Sequence, residues 1–415
     1  MKSLETPVQS ASIQRVMIPL GIGTALSLLG DNTLYTVLAR PDIAAQAGVT
    51  LAMVGVLLGA NRAVRLVFNG AAGLLLDRYP RRWVLNGALA LGALSTALLS
   101  LGRGFAPLLL ARVLWGIAWS GIWIGGHAVV LDLSSPGNRG GLSGQYQMWF
   151  FLGVGLSGFC GGFFTDQLGF RPGLMLSAGL TGLAALAWVL FLPETRTHRA
   201  FAAASCGAAT KGVRQTFPWR PVLYAALPVF ATRFVFSGVL TATTILWLGD
   251  LFGDQVSLRA VVIPLATFTG IFAALRALSS LLGAPLIGRI SDRVGRRWGV
   301  LAGVLLTGAV GTWMMGEPAA AVAVMGAIVG AVASSGTQGL AGAVVGDETT
   351  HEQRGRAVSV VYTLGDLGSA IGPALALGLM GVTTLAAVYR GAALLLLLAA
   401  ILAFWRSRRE PRRAG

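Results

Sequence analysis

Two carboxylates and six guanidinium groups stand inside the apolar stretches of this chain. They are Asp31 and Asp366, and Arg62, Arg65, Arg112, Arg233, Arg276 and Arg390. Charge surrounded by apolar sequence is costly and persists where it pairs, binds or carries charge. Spacing sorts these residues. Thr24, Ser27, Asp31 and Tyr35 recur every three or four positions, and so do Arg62, Arg65, Asn69 and Gly73. Arg233 and Ser237 form a third set; Ser359, Tyr362, Thr363, Asp366 and Ser369 form a fourth. On a helix each set makes one polar stripe. In a bilayer such a stripe must line a watery cavity or pack against protein. The chemistry this allows is proton carriage by Asp31 and Asp366, with Tyr35, Arg62, Arg112, Arg233 and Arg276 lining a substrate cavity. Arg62 and Arg112 would then tune Asp31; the plainer alternative is a static buried salt bridge. Trp119 and Trp123 lie on the Arg112 face. They serve either as bulky packing or as an aromatic wall with cation–π reach.

Composition says what must position these groups. The chain has 415 residues, 55% of them hydrophobic and 12% charged, with mean hydropathy +0.72. A soluble domain carries about 25% charge, so the expected class is an all-α polytopic membrane protein. Runs of about 20 apolar residues are long enough to span as helices, and they lack the alternation of a strand barrel. Twelve such runs centre near Ser27, Arg62, Leu91, Trp119, Gly155, Gly182, Ser237, Thr269, Val304, Gly330, Ser369 and Leu396. The first, Val16 to Ala39, reads as a retained span rather than a signal peptide. The 57 glycines imply close helix packing.

Basic residues fall unevenly between the loops. One side has only Arg40, Arg103, Arg171 and Arg259, and the other holds most of the rest. With an even number of spans, this bias puts both termini in the cytoplasm of a cell-membrane protein. The formal charge of +16 is thus a topology signal, not a nucleic-acid footprint. No P-loop pattern points to ATP, and no His, Cys and acid spacing points to a metal or other cofactor. Cys160 lies in an apolar run and Cys206 in a polar loop, a poor disulfide pair. His127, near the end of the fourth span, reads as structural, and His198 and His351 as solvated.

The chain repeats itself at one offset. "GLLLDRYPRRW" at Gly73–Trp83 returns as "GRISDRVGRRW" at Gly288–Trp298. Asp77 and Asp292, Arg82 and Arg297, Asp132 and Asp347, and Arg139 and Arg354 are each 215 residues apart. This is a six-plus-six duplication. It divides the chain into 1–193, a polar cytoplasmic connector over 194–220, and 221–415.

At these residues the chain resembles the major facilitator superfamily. Gly73, Leu75, Asp77, Arg78, Arg81 and Arg82 match that family's loop pattern, with Pro80 where the family has Gly. Gly288, Asp292, Arg293, Gly295, Arg296 and Arg297 match it again. Arg112 and Gly116 look like the family's Arg-x-x-x-Gly element, and "LPET" after the sixth span is similar too. "DNTLYTVL" at Asp31–Leu38 resembles the first span of its proton-coupled drug and metabolite exporters. Those exporters often carry Gly-Pro in the fifth span; here Gly-Pro is Gly372-Pro373, in the eleventh.

The resemblance implies twelve helices in two pseudo-symmetric bundles, and a cytoplasmic gate built from the duplicated loops. Asp77 sits at a helix end, where a carboxylate opposes its own helix dipole. It would find its partner in the opposite half, or pair with Arg78 or Arg81. The expected function is secondary active transport of a small organic compound by alternating access, with proton-coupled export first. The alternative is an organic-anion transporter or exchanger, because guanidinium groups outnumber acids within the spans. A lipid flippase, embedded enzyme or scaffold on the same fold is the third. The partners implied are a small-molecule substrate, protons and membrane lipid.

Overall fold

The computed structural model describes residues 7–134, 139–195, 218–258, 261–348 and 354–409. Cys206, His198, His351, most of the expected connector and the side chain of Asp292 lie outside the described residues. Among those described, twelve long helices follow one another. In the first half they are α1 (Pro7–Val37), α2 (Leu51–Arg78), α3 (Arg81–Leu101), α4 (Phe105–Leu133), α5 (Arg139–Leu168) and α6 (Phe170–Phe191). The second half has α7 (Trp219–Phe252), α8 (Leu265–Val294), α9 (Arg297–Met314), α10 (Ala320–Glu348), α11 (Arg354–Leu379) and α12 (Leu385–Ser407). Ten are long and apolar enough to cross a membrane. The other two places belong to α8, in which the described apolar stretch is Leu265–Ser279, and to α9, which has 18 residues. The protein is an all-α, multi-pass membrane protein of two six-helix halves.

Local sequence sets the breaks. Thr50 caps α2 by accepting from the Met53 amide. The duplicated loops turn in two ways. Gly295 ends α8 in the left-handed region at φ 67°, which glycine adopts at no steric cost. Pro80 stands at the same place in the first loop and cannot adopt it. There α2 ends through an extended Tyr79, and Pro80 leads directly into α3. Hydropathy and spacing carry no sign of the short helix Pro41–Ala47 or of the antiparallel hairpin β1 (Gln255–Leu258) and β2 (Val261–Pro264). Both lie at the end of the bundle opposite the duplicated loops, here the far end; the loops mark the motif end. In α7 the helix widens to a π segment over Arg233–Val239, five residues after Pro228, which removes one backbone donor.

The halves meet where α2 crosses α11 and α5 crosses α8, and these seams obey the 215-residue offset. A Cβ on Gly55 of α2 would stand 2.6 Å from the Pro373 carbonyl oxygen of α11. At the equivalent Gly270 of α8 it would stand 2.9 Å from Phe159 Cα, beside Gly158 of α5. Only glycine permits this approach, and both contacts lie toward the far end. Further along the same helices, Gly73 and Gly288 have nothing within 4 Å. The close crossings of the halves among the described residues thus lie toward the far end. Gly55→Val should force the α2–α11 seam apart. In a Ser369→Cys background it should increase alkylation by reagent added from the far side; unchanged labelling would contradict the seam.

Candidate functional site

The polar stripes converge at the α2–α11 seam. Asp31 on α1 accepts from Arg112 Nη1 of α4 at 2.5 Å and from Asn61 Nδ2 of α2 at 3.2 Å. Arg112 is fully buried, and its Nε donates to the Leu57 carbonyl oxygen at 2.9 Å. Gly116, one turn beyond Arg112, lets α4 come this close: a Cβ there would lie 2.7 Å from the Asn61 carbonyl oxygen. That is a physical reason for the Arg-x-x-x-Gly spacing. Asp31, Asn61 and Arg112 all belong to the first half, so this cluster is complete within one bundle.

The second cluster spans both halves. Asp366 of α11 is ion-paired to Arg65 of α2 through Oδ2 and to Arg233 of α7 through Oδ1, each at 3.1 Å. The Arg233 guanidinium also lies 5.5 Å from the Tyr362 ring centre. Arg62 joins the clusters. Its Nε donates to the Tyr35 hydroxyl and its Nη1 to Ser369 Oγ of α11, both at 3.4 Å. The Tyr35 ring lies 5.7 Å from the Arg62 guanidinium and 5.6 Å from that of Arg112. Its hydroxyl donates to the Leu58 carbonyl oxygen at 2.5 Å.

The structure thus brings together Asp31, Asp366, Tyr35, Arg62, Arg112 and Arg233. It sets Arg276 apart, near the other seam, where Nη2 donates to Thr241 at 2.7 Å. Trp119 and Trp123 sit in a ladder with Trp115, ring centres 6.0 and 5.7 Å apart. Phe150 and Tyr146 of α5 pack against it. His127 extends the ladder, its Nδ1 2.9 Å from the Trp123 carbonyl oxygen. This is packing inside the first half, with Trp119 buried and Trp123 partly so.

At the motif end the first duplicated loop is tied to its own half. Arg81 pairs with Asp132 of α4 at 2.6 Å. Glu194, from "LPET", accepts from the Arg81 and Arg82 amides at 3.2 and 3.1 Å. It thereby satisfies orphan donors at the start of α3. The Arg82 guanidinium donates to the Val189 carbonyl oxygen. At the far end Asp166 of α5 does similar work across the halves. Its Oδ2 accepts from the Thr267 amide of α8 at 2.7 Å and from the Thr267 hydroxyl at 2.6 Å. Arg40 lies 3.9 Å from the other oxygen of Asp166 and 2.6 Å from Asp42. Sequence reasoning missed Asn61 and Asp166. A carboxylate at the end of one helix, among so few acids, was the available signal for Asp166; a neutral Asn in an apolar run gives none.

A family model described as the Major Facilitator Superfamily matches residues 20–277 and 264–415. The chain belongs to that superfamily. Its proteins are transporters rather than enzymes. The probable 4-methylmuconolactone transporter of Cupriavidus pinatubonensis is 34% identical over 110 residues, 26% of each chain. The class C tetracycline resistance protein of Escherichia coli is 34% identical over 131 residues, 32% of this chain and 33% of that one. The chain thus matches about a quarter to a third of the length of these relatives. Among solved structures, a bacterial homologue of the human lysosomal transporter Spinster, inward-facing and occupied, superposes with TM-score 0.72. It is 18% identical, over 97% of this chain and 98% of that one. The human organic anion transporter MFSD10 gives TM-score 0.65 and 20% identity, over 94% and 99%. At these identities the structural likeness is one of fold.

The burial of the Asp31–Arg112 pair gives a direct expectation. Arg112→Ala leaves a carboxylate buried without its cation and should cost about 3–5 kcal/mol of stability. Asp31→Asn removes the charge and keeps the shape. It should still destabilise by a similar amount, because the buried Arg112 cannot give up its charge and keeps only neutral acceptors such as the Leu57 carbonyl oxygen. Thermal unfolding of the purified variants measures both; equal stability of Arg112→Ala and wild type would contradict the pairing.

Proposed function

We propose that the chain is a proton-coupled secondary transporter of a small organic compound, working by alternating access. One observation carries this reading: Asp366 holds Arg65 across the seam that must part when the far end opens. Its other partner, Arg233, belongs to its own half. Protonating Asp366 removes the charge that ties the halves; in an exporter the proton would be taken up from the far side and released to the cytoplasmic side, where the restored charge ties the halves again. Asp31 is the lesser proton site in this reading, because its partners all move with it. The close crossings toward the far end fit an inward-facing state, as in the inward-facing Spinster homologue. The duplicated loops would close on each other in the opposite state, and there Asp77 would act as the gate. The halves divide within 194–220, and both termini face the cytoplasm of the cell membrane.

Exporter-like residues at Asp31–Leu38 favour outward movement, and the tetracycline resistance relative supports export of a small compound. A second reading, transport of an organic anion, is favoured by the three guanidinium groups gathered around Asp366.

In proteoliposomes the wild type should accumulate substrate against its gradient when a pH gradient is imposed. Asp366→Asn should lose that pH-driven accumulation and keep gradient-free exchange. Accumulation by Asp366→Asn with the wild-type pH dependence would remove Asp366 as the proton carrier. For topology, a cysteine at position 211 should react only with reagent on the cytoplasmic side; labelling from outside alone would overturn the orientation.

A further inference from the structure

Each intramembrane arginine in the central cluster except one meets a carboxylate. Arg112 has Asp31, and Arg65 and Arg233 share Asp366. Arg62 stands between these pairs, and among the described residues no carboxylate lies within ion-pair distance of it. Its hydrogen bonds go to two hydroxyl groups, both long at 3.4 Å. A guanidinium prefers a carboxylate, which it grips with two parallel N–H donors. A second unmet donor lies on the same face of α2: Arg65 Nε is buried with no acceptor among the described residues. Arg62 is only partly buried, and at Gly73, further along its face of α2, nothing lies within 4 Å of where a Cβ would stand. Three guanidinium groups against one carboxylate leave this central space with surplus positive charge, which is expensive at the middle of a bilayer and which an anion would offset.

We propose that Arg62 is the docking group for the carboxylate of a small organic anion, the cargo of this transporter. The inference rests on reading the chain as a transporter whose substrate enters between the halves, and it deepens the second reading above. The carboxylate would take the guanidinium edge now spent on Ser369 and the Tyr35 hydroxyl, with Arg65 Nε beside it. Because Ser369 belongs to α11 and Arg62 to α2, a carboxylate at this point would exchange a bond between the halves for a bond to cargo. That links occupancy to the same seam that the Arg65–Asp366 pair holds.

The test uses purified full-length protein in detergent, with benzoate, 4-hydroxybenzoate and lactate as carboxylate probes and benzamide as the uncharged match to benzoate. At least one carboxylate should raise the unfolding temperature in a saturable way, and benzamide should not. Arg62→Gln should unfold at the wild-type temperature without ligand and bind that carboxylate at least tenfold more weakly. Arg62→Lys, which keeps the charge and loses the fork, should fall between. The proposal is overturned if no carboxylate stabilises the wild type, if benzamide matches benzoate, or if Arg62→Gln binds as the wild type does. Binding in detergent needs no gradient, so its outcome is separate from proton coupling. Carboxylate binding through Arg62 without pH-driven accumulation would keep this site and remove the coupling. Coupled accumulation with no carboxylate binding would do the reverse.

Discussion

A guanidinium in the middle of a membrane is costly without an anion, and Arg65 takes its anion from the other half of the protein. The pair with Asp366 is 3.1 Å long and little exposed on either side. Removing one partner of a buried pair leaves a charge whose cost is several kcal/mol. The seam therefore cannot part while Asp366 stays charged unless something else meets Arg65. A proton on Asp366 removes one side of the bond, and an anionic cargo or water can meet the other. Arg233 does not share this problem, because it travels with Asp366.

The backbone around this pair is symmetric and the charge is not. Gly55 and Gly270 occupy equivalent places, and so do Gly158 and Pro373. Each seam is thus built from the same close crossing. The offset takes Arg65 to Ser280 and Asp366 to Phe151, so the second seam lacks the residues of the central ion pair. Arg276 falls at the place of Asn61 and binds a threonine hydroxyl instead. Duplication thus accounts for how the halves fit together. The unduplicated residues at one seam are where specific chemistry has been added.

Much of this was legible in the sequence. Helix number, the repeat and the clustered polar faces follow from hydropathy, one offset and helical spacing, each of which depends on local order. Which acid meets which arginine does not. Asp31 and Asp366 are equally conspicuous in an apolar run, and only tertiary packing shows that the first is enclosed by one bundle while the second bridges two. The same limit hid Glu194. Its sequence neighbours mark a helix end, but its work is at the start of α3, more than a hundred residues earlier in the chain. The tryptophans of α4 show the opposite case. Their spacing fits a cavity wall and a packed ladder equally well, and only the fold shows that they stack against Phe150 of α5.

In the proposed cycle the contacts sort by whether they must break. Asp31 with Arg112, Asp366 with Arg233, and Arg81 with Asp132 each lie within one half and would ride with it. Arg65 with Asp366, Arg62 with Ser369, and Asp166 with Thr267 cross between halves. Of these, Asp166 holds the far rim, where water can replace it. Arg62 with Ser369 is a long, weak bond. Arg65 with Asp366 is the one ion pair among them. The energetic decision to change state is therefore concentrated on a single titratable carboxylate, with the uncommitted guanidinium of Arg62 one turn away on the same helix face.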